Sequence, residues 1–227
     1  MYNIAVVLAG GVGARVGGNV PKQLLPLVDG RTVLEHSVDV FEHSDYVNEV
    51  CIVMHPDYIP TVEGMIVTNG WQKVKQIIPG GKERWESSVN AIKAYRKLLS
   101  NELWGKANIL LHDAARPFVS GEIISNVCNA LVEHEAVVVA VPSTDTVYEM
   151  KDGCVARIPN RSAIMRAQTP QAFRLGLIAE AYENALNSGN MQVTDDCGVV
   201  FNYMVNQPIY IVAGEEQNKK ITFKEDI

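Results

Sequence analysis

A glycine-rich segment near the start of the chain, residues 8–23, combines residue types that could bind phosphate. It reads LAGGVGARVGGNVPKQ and follows an apolar run, residues 4–9, that is typical of a buried strand. Its first three glycines are Gly10, Gly11 and Gly13. Glycines permit a sharp turn, and successive backbone N–H groups in such a turn bind anions. Because Arg15 and Lys22 add positive charge, the segment favours a polyphosphate site.

The spacing of these glycines excludes two common phosphate loops. No Gly-Lys-Ser or Gly-Lys-Thr follows, as a P-loop requires. Val16 stands where the dinucleotide-binding fingerprint needs its third glycine, which argues against an NAD-dependent oxidoreductase. The plain alternative is a flexible surface turn. We expect instead a long loop that wraps around a ligand.

A second glycine-rich turn is GGKERWESS, which begins at Gly80. It places Arg84, Ser87 and Ser88 at the start of a predicted helix, where anions and polar ligands are favoured. An ordinary helix cap would explain the same residues. Residues 214–227 again combine cations with a hydroxyl, but alone they indicate only a solvated turn.

Asp113 directly follows an apolar run, residues 107–112. A carboxylate beside bound phosphates is a natural ligand of Mg²⁺, which completes its shell with phosphate oxygens and water. The alternatives are a turn cap or an ion pair with Arg116. The small residues Ala114 and Ala115 leave room for a ligand, which favours the metal site.

The bulk properties narrow the class of protein. With 227 residues, 47% of them hydrophobic and 20% charged, the chain is typical of one globular domain, residues 1–227. A net charge of −6 argues against nucleic-acid binding as the main role. The 4 cysteines form no C-x-x-C pair, which argues against a zinc or redox motif and fits a reducing cytoplasm. No apolar stretch reaches the roughly 20 residues that a membrane helix needs.

Apolar runs and helical patterns alternate along the chain. The apolar runs are residues 4–9, 50–54, 74–78, 107–112, 136–141 and 209–212. Helical periodicity is present in residues 32–43, 83–99, 122–133 and 174–186. This alternation predicts an α/β fold with a mostly parallel central sheet covered on both faces. Ligands of such folds bind at the carboxyl ends of the strands.

Residues 143–173 break this alternation. Two short alternating runs are joined by Lys151-Asp152-Gly153, and Asp-Gly between such runs predicts a hairpin. The remainder is polar and lacks helical periodicity. We expect a β-arm that projects from the sheet and packs on a partner subunit, which predicts a homodimer.

Seven short segments occur in the same order as in a known enzyme family. They are LAGGVGARVGGNVPKQLLPL, GGKERWESSV, LLHDAARPFV, DTV, RAQTPQAF, TDD and NKKIT. From residue 4 onward the chain therefore resembles the 2-C-methyl-D-erythritol 4-phosphate cytidylyltransferases. It is also similar to the ribitol 5-phosphate cytidylyltransferases, which residues 158–161 and 194–197 resemble more closely, whereas residues 80–89 and 112–119 are more similar to the first family. Where a common family form reads Val-Asp-Arg, this chain reads Pro159-Asn160-Arg161, which leaves the acceptor open.

The resemblance implies a Rossmann-like, three-layer nucleotidyltransferase fold and the transfer of CMP from CTP to a polyol phosphate, with release of pyrophosphate. It implies Mg²⁺ as the cofactor with Asp113 as its ligand, a place in isoprenoid biosynthesis, and neither a nucleic-acid nor a membrane partner. The implied catalytic cations are Arg15, Lys22 and Lys220. The nucleotide-binding residues are Ala9, Gly10, Gly11, Gly81, Lys82, Ser88 and Ala114. The acceptor-binding residues, serving a neighbouring subunit, are Thr146, Arg161 and Thr169.

This chemistry agrees with the residue types. Nucleotidyl transfer needs positioned substrates and positive charge near the phosphates, and an acceptor phosphate is already a nucleophile at neutral pH. No general base is required, so we predict a structural role for His112. Three alternatives are a ribitol 5-phosphate cytidylyltransferase, an NAD-dependent oxidoreductase and an inactive nucleotide-binding protein.

Overall fold

The computed structural model describes residues 1–11, 20–223 and 226. Its strands are β1 (Tyr2–Ala9), β2 (Glu49–Met54), β3 (Val74–Pro79), β4 (Ala107–Asp113), β5 (Ala136–Pro142), β6 (Glu149–Lys151), β7 (Cys154–Arg157), β8 (Met165–Arg174) and β9 (Tyr210–Ala213). Its α-helices are α1 (Val33–Glu42), α2 (Ile59–Asn69), α3 (Arg84–Leu98), α4 (Asn101–Trp104), α5 (Gly121–Ala130), α6 (Leu175–Ser188) and α7 (Asp196–Tyr203).

A seven-stranded sheet has the order β3-β2-β1-β4-β8-β5-β9. Within this sheet β8 is antiparallel to both of its neighbours, and the other paired strands are parallel. The carboxyl ends of the parallel strands therefore share one edge with the beginning of β8. The loops that the sequence analysis predicts to be functional, which follow β1, β3 and β4, therefore lie at this edge.

The strand β1 shows why helices cover both faces of the sheet. Ala5, Val7 and Ala9 pack into a core with α1, α2 and α5, whereas Ile4 and Val6 pack into a second core with α3, α6 and α7. A strand buried on both faces must be apolar at every position, as this one is over residues 4–9. The predicted α/β fold with a mostly parallel sheet is confirmed.

The predicted hairpin is present within residues 143–173. Strands β6 and β7 pair in antiparallel fashion, and every residue of both strands is exposed. Asp152 and Gly153 in the turn have φ angles of 52° and 77°. Positive φ at both central residues is the requirement of a type I′ turn, which Asp-Gly favours.

The end of the predicted arm needs a correction, because Met165–Arg174 forms the central strand β8 and does not project. Residues 168–173 are buried between β4 and β5. Their polar side chains have partners inside the protein: Gln171 donates to Asp195 at 2.7 Å and accepts from the backbone N–H of Cys197 at 3.0 Å. A polar segment can therefore lie in the core, because its hydrogen bonds are satisfied there.

Three of the cysteines, Cys51, Cys128 and Cys197, are buried free thiols, and Cys154 on β7 is exposed. Across the part of the chain that the structure describes, no helix combines the length and apolarity needed to cross a membrane.

Candidate active site

Two glycine turns meet at the carboxyl edge of the sheet. Gly10 follows β1 and Gly80 follows β3, and a Cβ atom added to Gly80 would lie 3.0 Å from the Cα of Gly10. The same atom added to Gly10 would lie 3.2 Å from the Ser87 hydroxyl oxygen. At Gly81 it would overlap the Glu86 side chain. Gly81 therefore requires glycine, and Gly10 and Gly80 are in tight contact, because the two turns and the start of α3 approach so closely.

Gln23 holds the beginning of the first loop. Its side chain is buried, and its amide donates to the carbonyls of Ala9 at 3.1 Å and Gly11 at 2.9 Å. Lys22, beside it, donates to the carbonyl of Ile221 at 2.7 Å. Arg15 and Gly13 lie outside the described residues, so the predictions made for them stay predictions. Gln23 therefore positions the loop, a role that the sequence analysis missed. Its location directly after Lys22, within a segment that resembles the family, could have indicated this role.

The structure separates the two serines of α3. Ser87 accepts a hydrogen bond from the N–H of Gly81 at 3.1 Å and therefore faces the glycine turns. Ser88, the predicted nucleotide contact, is completely buried. This geometry favours Ser87 over Ser88 at the ligand edge, because adjacent helical residues point in different directions.

Two other predicted nucleotide contacts differ in their exposure. Lys82 is exposed, and its N–H donates to Glu86 at 2.5 Å. Ala114 is completely buried; its N–H donates to Leu8 at 3.0 Å and its carbonyl accepts from Ser37 at 2.7 Å. Ala114 therefore ties the end of β4 to its neighbours.

Asp113, the last residue of β4, lies between two cations. Its Oδ1 accepts from Nε of Arg84 at 2.8 Å, and its Oδ2 accepts from Nζ of Lys220 at 2.6 Å. Burial alone would raise the pKa of this carboxyl, but the charges of Arg84 and Lys220 outweigh burial and hold the pKa well below its ordinary value. Asp113 is therefore ionised, and the structure brings the predicted metal ligand and the predicted catalytic lysine together.

Arg84 also contacts a second carboxylate, Asp196, at the start of α7. Nη1 of Arg84 donates to Asp196 at 2.6 Å, and the Tyr182 hydroxyl donates to the other oxygen of Asp196 at 2.6 Å. Burial and the nearby Asp196 charge raise the pKa of Tyr182. The sequence analysis did not single out Asp196, although the TDD segment that contains it was a signal.

His112 connects β4 to β8 through the interior. The carbonyl of Arg116 can only accept, so Nε2 of His112 donates to it at 3.0 Å. The Thr169 hydroxyl then donates to Nδ1 of His112 at 3.0 Å and accepts the N–H of Asp113 at 3.1 Å. Burial lowers the pKa of His112 to about 4, so the imidazole is neutral at physiological pH. Both ring nitrogens are engaged, as expected of a structural histidine.

Thr169 has partners within its own subunit. It is 5% exposed, and its hydroxyl bonds to His112 and to the N–H of Asp113, while its predicted contact with an acceptor stays a prediction. Thr169 belongs to β8 inside the sheet and not to a projecting arm. Its contribution to the site is to fix the backbone at Asp113.

The segment after β9 is docked and is not the solvated turn that its composition indicates. Asn218 is completely buried and donates to the side chain of Gln168 at 3.1 Å and to the carbonyl of Thr169 at 3.0 Å. Arg116 donates to the carbonyl of Asn218 at 2.8 Å. These contacts place Lys220 at Asp113, and composition alone contained no signal for them.

Thr146 and Arg161 lie on the exposed segments that flank the hairpin. Arg161 donates to the carbonyl of Thr144 at 3.4 Å. Within the described residues it makes no hydrogen bond to Asp113 or Lys220. The acceptor-binding roles of Thr146 and Arg161 therefore stay predictions.

The donor set around Asp113 is compatible with one mode of Mg²⁺ binding. Within residues 1–11, 20–223 and 226, no group of three His, Cys, Asp or Glu side chains could enclose a metal ion. Mg²⁺ commonly uses one or two carboxylates and takes its remaining ligands from substrate phosphates and water. An ionised Asp113 at the edge of the sheet fits that mode.

Comparisons with known proteins agree with this geometry. The family model for 2-C-methyl-D-erythritol 4-phosphate cytidylyltransferase matches residues 3–227. The chain belongs to this family. A relative of that name from Thermobifida fusca (strain YX) is 44% identical over 228 residues, covering 98% of this chain and 89% of the relative. As a family member, the chain is a CTP-dependent cytidylyltransferase, which sets aside the oxidoreductase alternative.

A structural relative and a second sequence relative extend the comparison. The structure of 4-diphosphocytidyl-2C-methyl-D-erythritolsynthase from Anaerococcus prevotii DSM 20548 has a TM-score of 0.84 and 30% identity, covering 99% of this chain and 92% of that chain. The bifunctional ribulose 5-phosphate reductase/CDP-ribitol pyrophosphorylase Bcs1 of Haemophilus influenzae is 35% identical over 227 residues, covering 99% of this chain but 46% of that protein. The similarity to both groups of cytidylyltransferases is therefore confirmed.

Proposed function

We propose that this chain transfers the cytidylyl group of CTP to the phosphate of 2-C-methyl-D-erythritol 4-phosphate, a step of isoprenoid biosynthesis, and releases pyrophosphate. The observation that carries the proposal is the cluster of Asp113, Lys220 and Arg84 beside two glycine turns, in a chain of this family. A relative of that name at 44% identity supports the choice of acceptor.

The reaction needs no protein base. An oxygen of the acceptor phosphate attacks the α-phosphorus of CTP, a new P–O bond forms, and the bond to the β-phosphate oxygen breaks. His112 cannot serve as the base, because both of its nitrogens are engaged inside the protein. The protein instead positions the two anionic substrates and places positive charge where negative charge accumulates. Lys220 and Lys22 supply that charge, together with Arg15 of the glycine-rich loop.

The proposal includes Mg²⁺ held by Asp113. The bound ion would neutralise phosphate charge and polarise the α-phosphoryl group. Lys220 now occupies one oxygen of Asp113. If Asp113 held the ion, the Lys220 ammonium group that now donates to this carboxylate would be available to a phosphate oxygen of the substrate.

Turnover with defined substrates tests the acceptor. Pyrophosphate release and the mass of the CDP product are measured with CTP and Mg²⁺, using 2-C-methyl-D-erythritol 4-phosphate or ribitol 5-phosphate. We expect the erythritol derivative to have the higher kcat/KM. A higher kcat/KM for ribitol 5-phosphate would establish the second candidate, which the Haemophilus relative favours. No turnover with either acceptor would refute the proposal and favour an inactive nucleotide-binding protein.

The nucleotide is tested in the same assay. The family membership supports CTP, since no base contact can be assigned from the described residues alone. Equal kcat/KM with ATP or GTP would contradict this specificity.

We also propose that the chain acts in the cytoplasm as a homodimer through the hairpin arm. Exposed apolar side chains support the interface: Val147, Tyr148, Met150, Val155 and Ile158 are each more than 40% exposed. Exposed apolar side chains gathered in one short segment are typical of protein–protein contact. In such a dimer Arg161 would bind the acceptor in the neighbour's site. Light scattering of the purified protein gives the test, since a monomeric mass at working concentration contradicts it.

A further inference from the structure

Asp196 is a buried carboxylate next to the site but not in it. Its side chain is 0% exposed. Among the described residues its charged partner is Arg84, and Tyr182 donates to its second oxygen. A buried carboxylate is costly unless it is paired and hydrogen-bonded, and here both oxygens are satisfied.

Arg84 is shared between Asp196 and Asp113 through different nitrogens. Nη1 reaches Asp196 at 2.6 Å, while Nε reaches Asp113 at 2.8 Å. A guanidinium is planar and presents its N–H groups in a rigid fork. Fixing Nη1 on the immobile Asp196 therefore fixes the direction in which Nε points, and so the place of the Asp113 carboxylate.

The second cation on Asp113 is held differently. The Lys220 side chain is 43% exposed, whereas the Arg84 side chain is 27% exposed. Lys220 carries a point charge on a flexible stem, and among the described residues its ion-pair partner is Asp113 alone. Lys220 can therefore leave Asp113 and bind a phosphate. If Arg84 left, the buried carboxylate of Asp196 would lose its cation.

We propose that Asp196 is a positioning residue of the reaction, which keeps Arg84 on Asp113 so that Lys220 is the cation that moves to the substrate. The inference rests on the proposed function, because it assigns the parts of that same site. Asp196 touches neither substrate nor metal in this scheme; it acts through Arg84.

A double-mutant cycle tests whether Asp196 acts through Arg84. The variants are Asp196→Asn, Arg84→Met and the double variant, each measured for kcat/KM with CTP and acceptor. Each single substitution should lower kcat/KM by about 10- to 100-fold, the scale of a misplaced reacting group. Once Arg84 is absent, Asp196→Asn should lower kcat/KM by less than about twofold more. Effects that multiply in the double variant would overturn the proposal.

Thermal stability supplies a readout without substrate. Arg84→Met leaves the buried Asp196 charge without a cation, which is strongly destabilising. Adding Asp196→Asn removes that charge, so the double variant should melt at a higher temperature than Arg84→Met. If Arg84→Met does not fold, Arg84→Lys replaces it in the cycle, since one ammonium group cannot serve both carboxylates in the geometry of the guanidinium fork.

Asp195→Asn is the matched control. Asp195 is the preceding carboxylate and caps α7 by accepting from the N–H of Gly198 at 2.8 Å, and among the described residues it makes no hydrogen bond or ion pair with Arg84. This variant should lose stability and keep kcat/KM within about twofold. An equal loss of kcat/KM in Asp195→Asn would assign the effect to the end of α7 and overturn the proposal. An inactive wild-type protein would instead refute the proposed function, while the stability cycle would still test the Arg84–Asp196 pair.

Discussion

Acid should destabilise this protein through His112, which is fully buried in its neutral form. Its Nε2–H donates to Arg116, and its Nδ1 accepts from Thr169. Protonation of Nδ1 would break the hydrogen bond that it accepts from Thr169 and would place a positive charge in the interior. The neutral imidazole is therefore part of the folded structure, and the unfolded chain binds a proton more readily than the folded chain does.

The pKa of His112 sets the size and the direction of the effect. Burial lowers it from 6.5 to about 4 in the folded protein. At about 1.36 kcal/mol per pH unit, the difference corresponds to about 3 kcal/mol of folding free energy. Because the folded pKa is the lower one, this stabilisation is fully present above pH 6.5 and is lost as the pH falls towards 4. A loss of about 3 kcal/mol is a large part of the roughly 5–15 kcal/mol that stabilises a typical domain.

The assay is urea unfolding followed by circular dichroism at several pH values between 8 and 4, with chelator present. His112→Gln is compared with the wild type, because an amide can donate to the Arg116 carbonyl but does not titrate. We expect the wild type to lose about 3 kcal/mol more than the variant between pH 7.5 and 4. His43→Gln, which replaces an exposed histidine, is the control. A difference between wild type and His112→Gln that stays constant across this range would refute the reasoning.

Three further predictions concern the site and the arm. Gly81→Ala should lower turnover at least about tenfold, because the added methyl group overlaps α3 and displaces the turn. The control is Gly64→Ala, where the added methyl group has open space. This control should keep its turnover and gain up to about 1 kcal/mol of stability in α2. Asp113→Asn should raise the Mg²⁺ concentration needed for half-maximal rate by about tenfold or more, and an unchanged magnesium titration would place the metal elsewhere. Mixing inactive Arg161→Ala chains with inactive Lys22→Ala chains should restore activity. With random pairing at equal amounts, about a quarter of all sites would contain both intact residues. If subunit exchange is confirmed and the mixture stays as inactive as each variant alone, Arg161 does not act across the dimer.

The layered fold was predictable because its strands and helices follow simple patterns. The runs at residues 4–9 and 107–112 are apolar at every or nearly every position, as strands buried on both faces must be. The helix over residues 33–42 follows the period of its buried face and begins with a Thr32–Glu35 capping box. Such local signals need no knowledge of distant partners.

The strand β8 and the role of Asn218 were not predictable in this way. Gln168, Thr169 and Gln171 are polar residues in a central strand, and each is buried because a partner far away in sequence satisfies it. The same holds for Asn218, which contacts residues 49 and 50 positions earlier in the chain. Composition describes a residue's preference for water, but it does not show which distant group will replace that water.

Part of the site was predictable from the same local strand patterns. Asp113 ends a strand and the glycine turns follow strands, so the topology of the sheet brings them together. The choice of Ser87 over Ser88 depends on the rotation of α3, which residue types alone do not determine. The pairing of Arg84 with Asp196 joins the starts of α3 and α7, which are 112 positions apart in the sequence.

The docking of residues 214–221 has a consequence for how activity is lost. The segment contains no described helix or strand, and a few side-chain and backbone contacts attach it to the sheet. Regions of this kind open at a lower free energy than the sheet itself. Mild urea should therefore detach Asn218 and Lys220 while the seven strands are still paired, so that activity disappears before the circular dichroism signal changes. A bound nucleotide that contacts Lys220 should reduce the difference between the urea concentrations at which activity and circular dichroism signal are lost, because it stabilises only the attached state of the segment.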